Sequence, residues 1–125
     1  MKVAEISGVP TVVDAVTSPV NAVVVKFNRK IQSETFDYND IELYCQGGEN
    51  LSDASVSVVK QDDYTYLVDI SSKTNHSGFY KIEVNVNNIL DEYGNAGDFG
   101  KNATWSQLLE YVSVVDVWNN NDSIV

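Results

Sequence analysis

One histidine, His76, and one cysteine, Cys45, are all that this 125-residue chain offers to nucleophilic or soft-metal chemistry. A Ser-His-Asp triad would have to run through His76, which sits in the polar run SSKTNHSG with no carboxylate within several residues. His76 is therefore expected as an exposed turn residue. A structural zinc site draws its ligands from several Cys and His, and a disulfide needs a second Cys, so neither can be built within one protomer. The carboxylate pairs Asp62-Asp63 and Asp91-Glu92 have the chemistry of glycosidic acid and base work. Adjacent side chains diverge on a strand or turn, however, and surface carboxylates are the rule in an acidic chain. No nucleophile, base and orienting residue fall into a catalytic spacing. The sequence reads as that of a protein that is not an enzyme, with no catalytic, cofactor-binding or metal-ligating residues.

The loop Asn88-Ile89-Leu90-Asp91-Glu92-Tyr93-Gly94-Asn95-Ala96-Gly97-Asp98 concentrates oxygen side chains, and calcium takes about six to eight oxygens. It breaks the D-x-[DN]-x-[DN]-G pattern, because Tyr93 stands where a ligand belongs. A structural turn is expected instead, with Asp91 capping backbone N–H groups and Gly94 taking a positive φ. On this reading Gly94 matters more to the turn than Asp91. Seven Tyr and two Trp raise a separate possibility, since aromatic rings on a flat sheet stack on sugars and anchor protein interfaces. Tyr44 and Tyr111 lie off the expected inward faces, while Trp105 is expected to close the core. Asn-x-Ser/Thr matches at Asn50, Asn75, Asn102 and Asn121 fall in expected turns or tails and carry meaning only in a secretory host.

These residues have to be positioned by a chain of one domain's length with 43% hydrophobic residues, enough for a single core. Eight Lys and Arg against 18 Asp and Glu give a formal charge of −10. That balance opposes phosphate backbones and anionic lipid, so no nucleic acid partner is expected. No stretch approaches the roughly 18 apolar residues of a membrane helix, and no membrane insertion is expected. The opening MKVAEISGVPTVVDAV is not a signal peptide, since it carries acidic residues where a basic start and an apolar block belong. No internal repeat of solenoid period is visible.

Seven runs rich in β-branched and aromatic residues recur between Gly, Asn, Asp and Ser clusters, which predicts an all-β antiparallel sandwich. They are 9–16, 20–27, 41–46, 54–60, 64–70, 78–86 and 103–107. Period-2 alternation assigns Val25, Phe27, Leu43, Tyr66, Val68, Tyr80, Ile82 and Val84 to the core. By the same rule Tyr64 and Ile70 share the face of Tyr66, and Cys45 points inward as a small, inert hydrophobe. Ile31 and Phe36 plug the polar connection NRKIQSETFDYND from beneath. Residues 1–107 form the expected domain. Residues 108–125 are an extension, either a last strand or a linker to a following module.

The spacing Gly78-x-Tyr80-x-Ile82 is that of the corner before strand F in immunoglobulin folds, where the Tyr hydroxyl bonds back to upstream backbone. Ile82 stands in the place of the second Cys. The order of pieces resembles the immunoglobulin-like modules of large bacterial surface and secreted proteins, notably of the Bacteroides group. Those modules carry a V-x-F-x-x-x-I strand, here Val25, Phe27 and Ile31, and a late I-x-D-x-x-G-N turn, here Ile89, Asp91, Gly94 and Asn95. The resemblance covers roughly residues 6–107. It implies an immunoglobulin-like sandwich of about seven strands, a fragment of a longer exported protein at the cell surface or outside the cell. It implies no cofactor, and as partners the neighbouring domains of that chain and a protein or glycan ligand. An accessory, carbohydrate-binding domain of a polysaccharide-degrading enzyme is the alternative.

Overall fold

The structure, a computed structural model, describes residues 1–12 and 14–109. Seven strands follow in order: β1 (Val3–Ser7), β2 (Ala22–Phe27), β3 (Ile41–Cys45), β4 (Ser57–Lys60), β5 (Thr65–Asp69), β6 (Gly78–Val84) and β7 (Lys101–Gln107). They form a four-stranded sheet, β1-β2-β5-β4, and a three-stranded sheet, β3-β6-β7, with every named pairing antiparallel. In immunoglobulin lettering these are the ABED and CFG sheets of a seven-strand constant-type sandwich. The expected fold class is therefore the observed one.

Alternation builds the core. Val23, Val25 and Phe27 of β2 face Leu43, Tyr80, Ile82 and Val84 of the other sheet's strands, and all eight core residues expected from the sequence are buried. Ile31 and Phe36 are buried as plugs, and Phe36 meets Phe27 and Tyr66 edge-on at centroid distances of 5.3 and 5.5 Å. Such edge-to-face contacts place the positive rim of one ring on the negative face of the next. Among the described residues the buried Tyr66 hydroxyl has no hydrogen bond of full geometry, although the Ser33 side chain lies near it.

The second pole of the sandwich, where β7 ends, is tied by buried polar groups. Gln107 Oε1 accepts from Val20 N–H at 2.8 Å and from Trp105 Nε1–H at 2.9 Å, and its Nε2 donates to the carbonyls of Thr74 and His76. Thr74 Oγ1 donates to Val20 O at 2.7 Å. The Tyr80 hydroxyl donates to the Lys73 and His76 carbonyls, the tyrosine corner that the Gly78-x-Tyr80 spacing predicts, while its ring stacks on Trp105.

Three expectations are corrected. The described residues of 9–16 do not form the first strand: among them Val16 alone makes a bridge, parallel to Gln107, and Val12 is exposed. Strand β1 lies earlier, and a bulge between Val3 and Glu5 breaks its period 2, so that Val3 and Ile6 sit three residues apart. Tyr64 is exposed, because it belongs to the turn before β5, where Asp62 Oδ1 accepts its N–H. Cys45 is only partly buried, since it is the last residue of β3 at the rim of the core.

Candidate functional site

The outward register of the three-stranded sheet gathers the polar and aromatic groups that the core excludes. With Ile41 and Leu43 inward, Glu42 and Tyr44 point out; with Tyr80, Ile82 and Val84 inward, Phe79, Lys81 and Glu83 point out. Pairing then sets the rows. Tyr44, Lys81 and Thr104 form one row across the three strands, and Glu42, Glu83 and Asn102 the next. Phe79 is diagonal to Tyr44 and stands 49% exposed.

Two open grooves occupy this face. One, of about 230 Å³, is lined by Tyr44, Gly47, Gly48, Phe79 and Lys81. Its glycines belong to a tight turn, closed by Gly48 N–H to Cys45 O at 3.1 Å, with Gln46 and Gly47 at φ of 59° and 70°. Positive φ at both central positions is the type I′ geometry that suits a hairpin, and it explains glycine at position 47. The other groove, about 340 Å³, is bordered by Glu83, Asn85, Asn87, Lys101 and Asn102. Tyr44 donates its hydroxyl proton to Glu42 Oε1, and this bond, with partial desolvation and the nearby carboxylates, raises the Tyr44 pKa above its ordinary value.

The candidates singled out in the sequence are placed as follows. His76 is exposed, and its carbonyl oxygen, not its ring, serves the pole network. Asp62 caps its turn, and Asp63 pairs with Lys60 at 3.1 Å and Lys30 at 3.5 Å, holding both carboxylates below their usual pKa. Asp91 Oδ1 accepts from the N–H groups of Tyr93 and Asn95, both at 2.9 Å, and Gly94 takes a φ of 84°. Those bonds lower the Asp91 pKa, the one from Asn95 foremost. This is the capped turn expected from the sequence. Ile31 also bridges Asp91, which ties the loop to the β2–β3 connection. Tyr111 and Asn121 lie outside the described residues. Of the aromatics weighed in the sequence, Tyr44 alone reaches a groove, and Phe79 joins it there. Phe79 shares period 2 with Lys81 and Glu83, the signal that could have found it.

No protein-family model matches the chain, and no curated protein matches its sequence. The fold is similar to part of the crystal structure of the S-layer protein rSbsC(31-844), with a TM-score of 0.55 and 17% identity over 84% of this chain. The similar region amounts to 13% of that chain, so the present chain spans a small part of its length.

Proposed function

We propose that this chain is a non-catalytic, immunoglobulin-like building block of a larger bacterial cell-surface protein, of the general kind that the Bacteroides-like motifs suggest. It acts as an acidic spacer between neighbouring domains, with residues 1–107 as the module and 108–125 as the connection to the next.

The observation that carries this reading is the placement of the two chain ends of the sandwich. Val3 N–H donates to Phe99 O beside the start of β7, whereas Leu108 follows the end of β7 opposite Gly78. Chain therefore enters at one pole and leaves at the other, roughly 20 Å further along by the rise of seven strand residues. Modules joined that way extend rather than fold back. The sandwich found within an S-layer protein supports a surface setting by analogy of fold.

An antiserum against this chain, used on fractionated cells of its host, tests the proposal. The expected signal is a polypeptide much larger than 13.8 kDa, accessible to protease on intact cells. A band of the chain's own mass in the cytosolic fraction would refute it.

A further inference from the structure

The outward face of β3, β6 and β7 carries more than a spacer requires. We infer that it is a binding site for a neutral oligosaccharide, which lies along β6 with a sugar ring against Tyr44 and Phe79 and its hydroxyl groups on Lys81, Glu83, Asn87 and Asn102. The inference goes beyond the building-block reading and stands without it.

Four observations converge on that occupant. Two aromatic rings, Tyr44 and Phe79, are diagonal neighbours at roughly 7–8 Å, and the apolar faces of sugar rings stack on such surfaces. Gly47 and Gly48 put no side chain into the groove beside them. On β6, just beyond it and on the neighbouring β7, the side chains of Lys81, Glu83, Asn87 and Asn102 make no hydrogen bond or ion pair among the described residues. Elsewhere Asp53, Asp62, Asp69 and Asp91 are all bonded. A carboxylate, an ammonium and two amides together supply the donors and acceptors that paired hydroxyls need.

Charge chooses between ligands of the same shape. Glu42 and Glu83 outnumber Lys81 here, since Lys101 is in register with Val84 and reaches the Ala4 carbonyl of the other sheet, so this face is acidic like the chain of net charge −10. An acidic glycan would meet two carboxylates. A neutral chain of hydroxyls meets no such penalty. The two grooves follow one another between Phe79 and Asn85, roughly 20 Å of extended chain, so a ligand that reaches both is longer than one sugar ring, an oligosaccharide rather than a monosaccharide.

The full chain applied to an array of neutral, uronate and sulfated oligosaccharides tests this. Retention of neutral oligosaccharides is expected, with the strongest of them then titrated calorimetrically. Phe79→Ala and Tyr44→Ala should each weaken that binding about tenfold or more, and Tyr93→Ala, which removes a 73% exposed ring from the loop after β6, should leave it unchanged. Circular dichroism melting confirms that each variant is folded. Should Tyr44→Ala fail to fold, Phe79→Ser carries the test, because its side chain is half-exposed. Retention of no neutral oligosaccharide, retention of anionic ones only, or binding indifferent to Phe79 overturns the inference. None of these outcomes bears on whether the chain is a piece of a surface protein.

Discussion

The indole N–H of Trp105 donates to Gln107 Oε1 at 2.9 Å, two residues along the same strand and on the same inward face. The amide's other contacts reach Val20, Thr74 and His76, so one buried side chain joins three segments that are remote in sequence. A buried amide satisfied on both sides specifies a single arrangement of those segments; half-satisfied, it would destabilise them.

Gln107→Leu is accordingly expected to cost about 3–5 kcal/mol, because it strands the Val20 and Trp105 donors and the Thr74 carbonyl at once. Urea denaturation followed by far-UV circular dichroism reads the change.

Two tyrosines should respond to the same substitution with opposite signs. Tyr80→Phe removes the corner bonds to Lys73 and His76 and is expected to destabilise by about 1–2 kcal/mol. Tyr66→Phe removes a buried hydroxyl that has no full hydrogen bond among the described residues and is expected to be neutral or stabilising. Equal losses in the two melts would disprove the distinction.

Ile82 is fully buried at the centre of β6. Truncation to Ala should cost about 2–5 kcal/mol, and a loss under half of the lower bound would place it outside the core.

In the loop after β6 burial gives Asp91 a weight that the sequence alone does not show. Gly94 faces open space, and a Cβ there meets only the strain of its positive φ. Asp91 is 3% exposed and holds two backbone N–H groups. Asp91→Ala should therefore lower the melting temperature more than Gly94→Ala, and chelator should leave the wild-type melt unmoved.

Asp53 is held down to a pKa of about 2, first by its hydrogen bond to Lys73 and then by Ser55. Its folded pKa lies below the unfolded value, so its stabilising contribution is present above the ordinary carboxylate range and is lost as pH falls through about 2. A carbon-detected titration should find Asp53 ionised where exposed carboxylates are already protonated. Lys73→Ala should move it back toward its ordinary value.

How much of this was legible follows from what kind of signal each part leaves. Strands β2, β3, β5 and β6 were readable because one face of each is buried, and burial writes period 2 into the residues. The tyrosine corner was readable because it depends on local spacing. Strand β1 was not, since its bulge shifts the period, and Val16 was misassigned because a single parallel bridge imposes no pattern. Gln107 looked like an ordinary strand-end polar residue; its role depends on Val20 and Thr74, and contacts that distant leave no mark on the local sequence. The Tyr44 groove was half legible: Tyr44 stood out by its register, while Phe79, in the same register, hides as one more apolar residue of a strand.

The parallel seam between Val16 and the end of β7 has a mechanical meaning. If the module is stretched from its two poles, load arrives through β1 and leaves through Leu108. Val16 N–H to Ser106 O at 2.9 Å and Leu108 N–H to Val16 O at 2.8 Å lie across that line. Bonds between parallel segments drawn in opposite directions are sheared together, whereas those of a hairpin pulled from one end open one by one. The Val20 N–H bond to Gln107 adds a third tie to the same seam. Resistance to force is a matter of unfolding rate rather than of equilibrium stability, so this short seam, which contributes little to the core, would set how hard the chain can be pulled before it gives way.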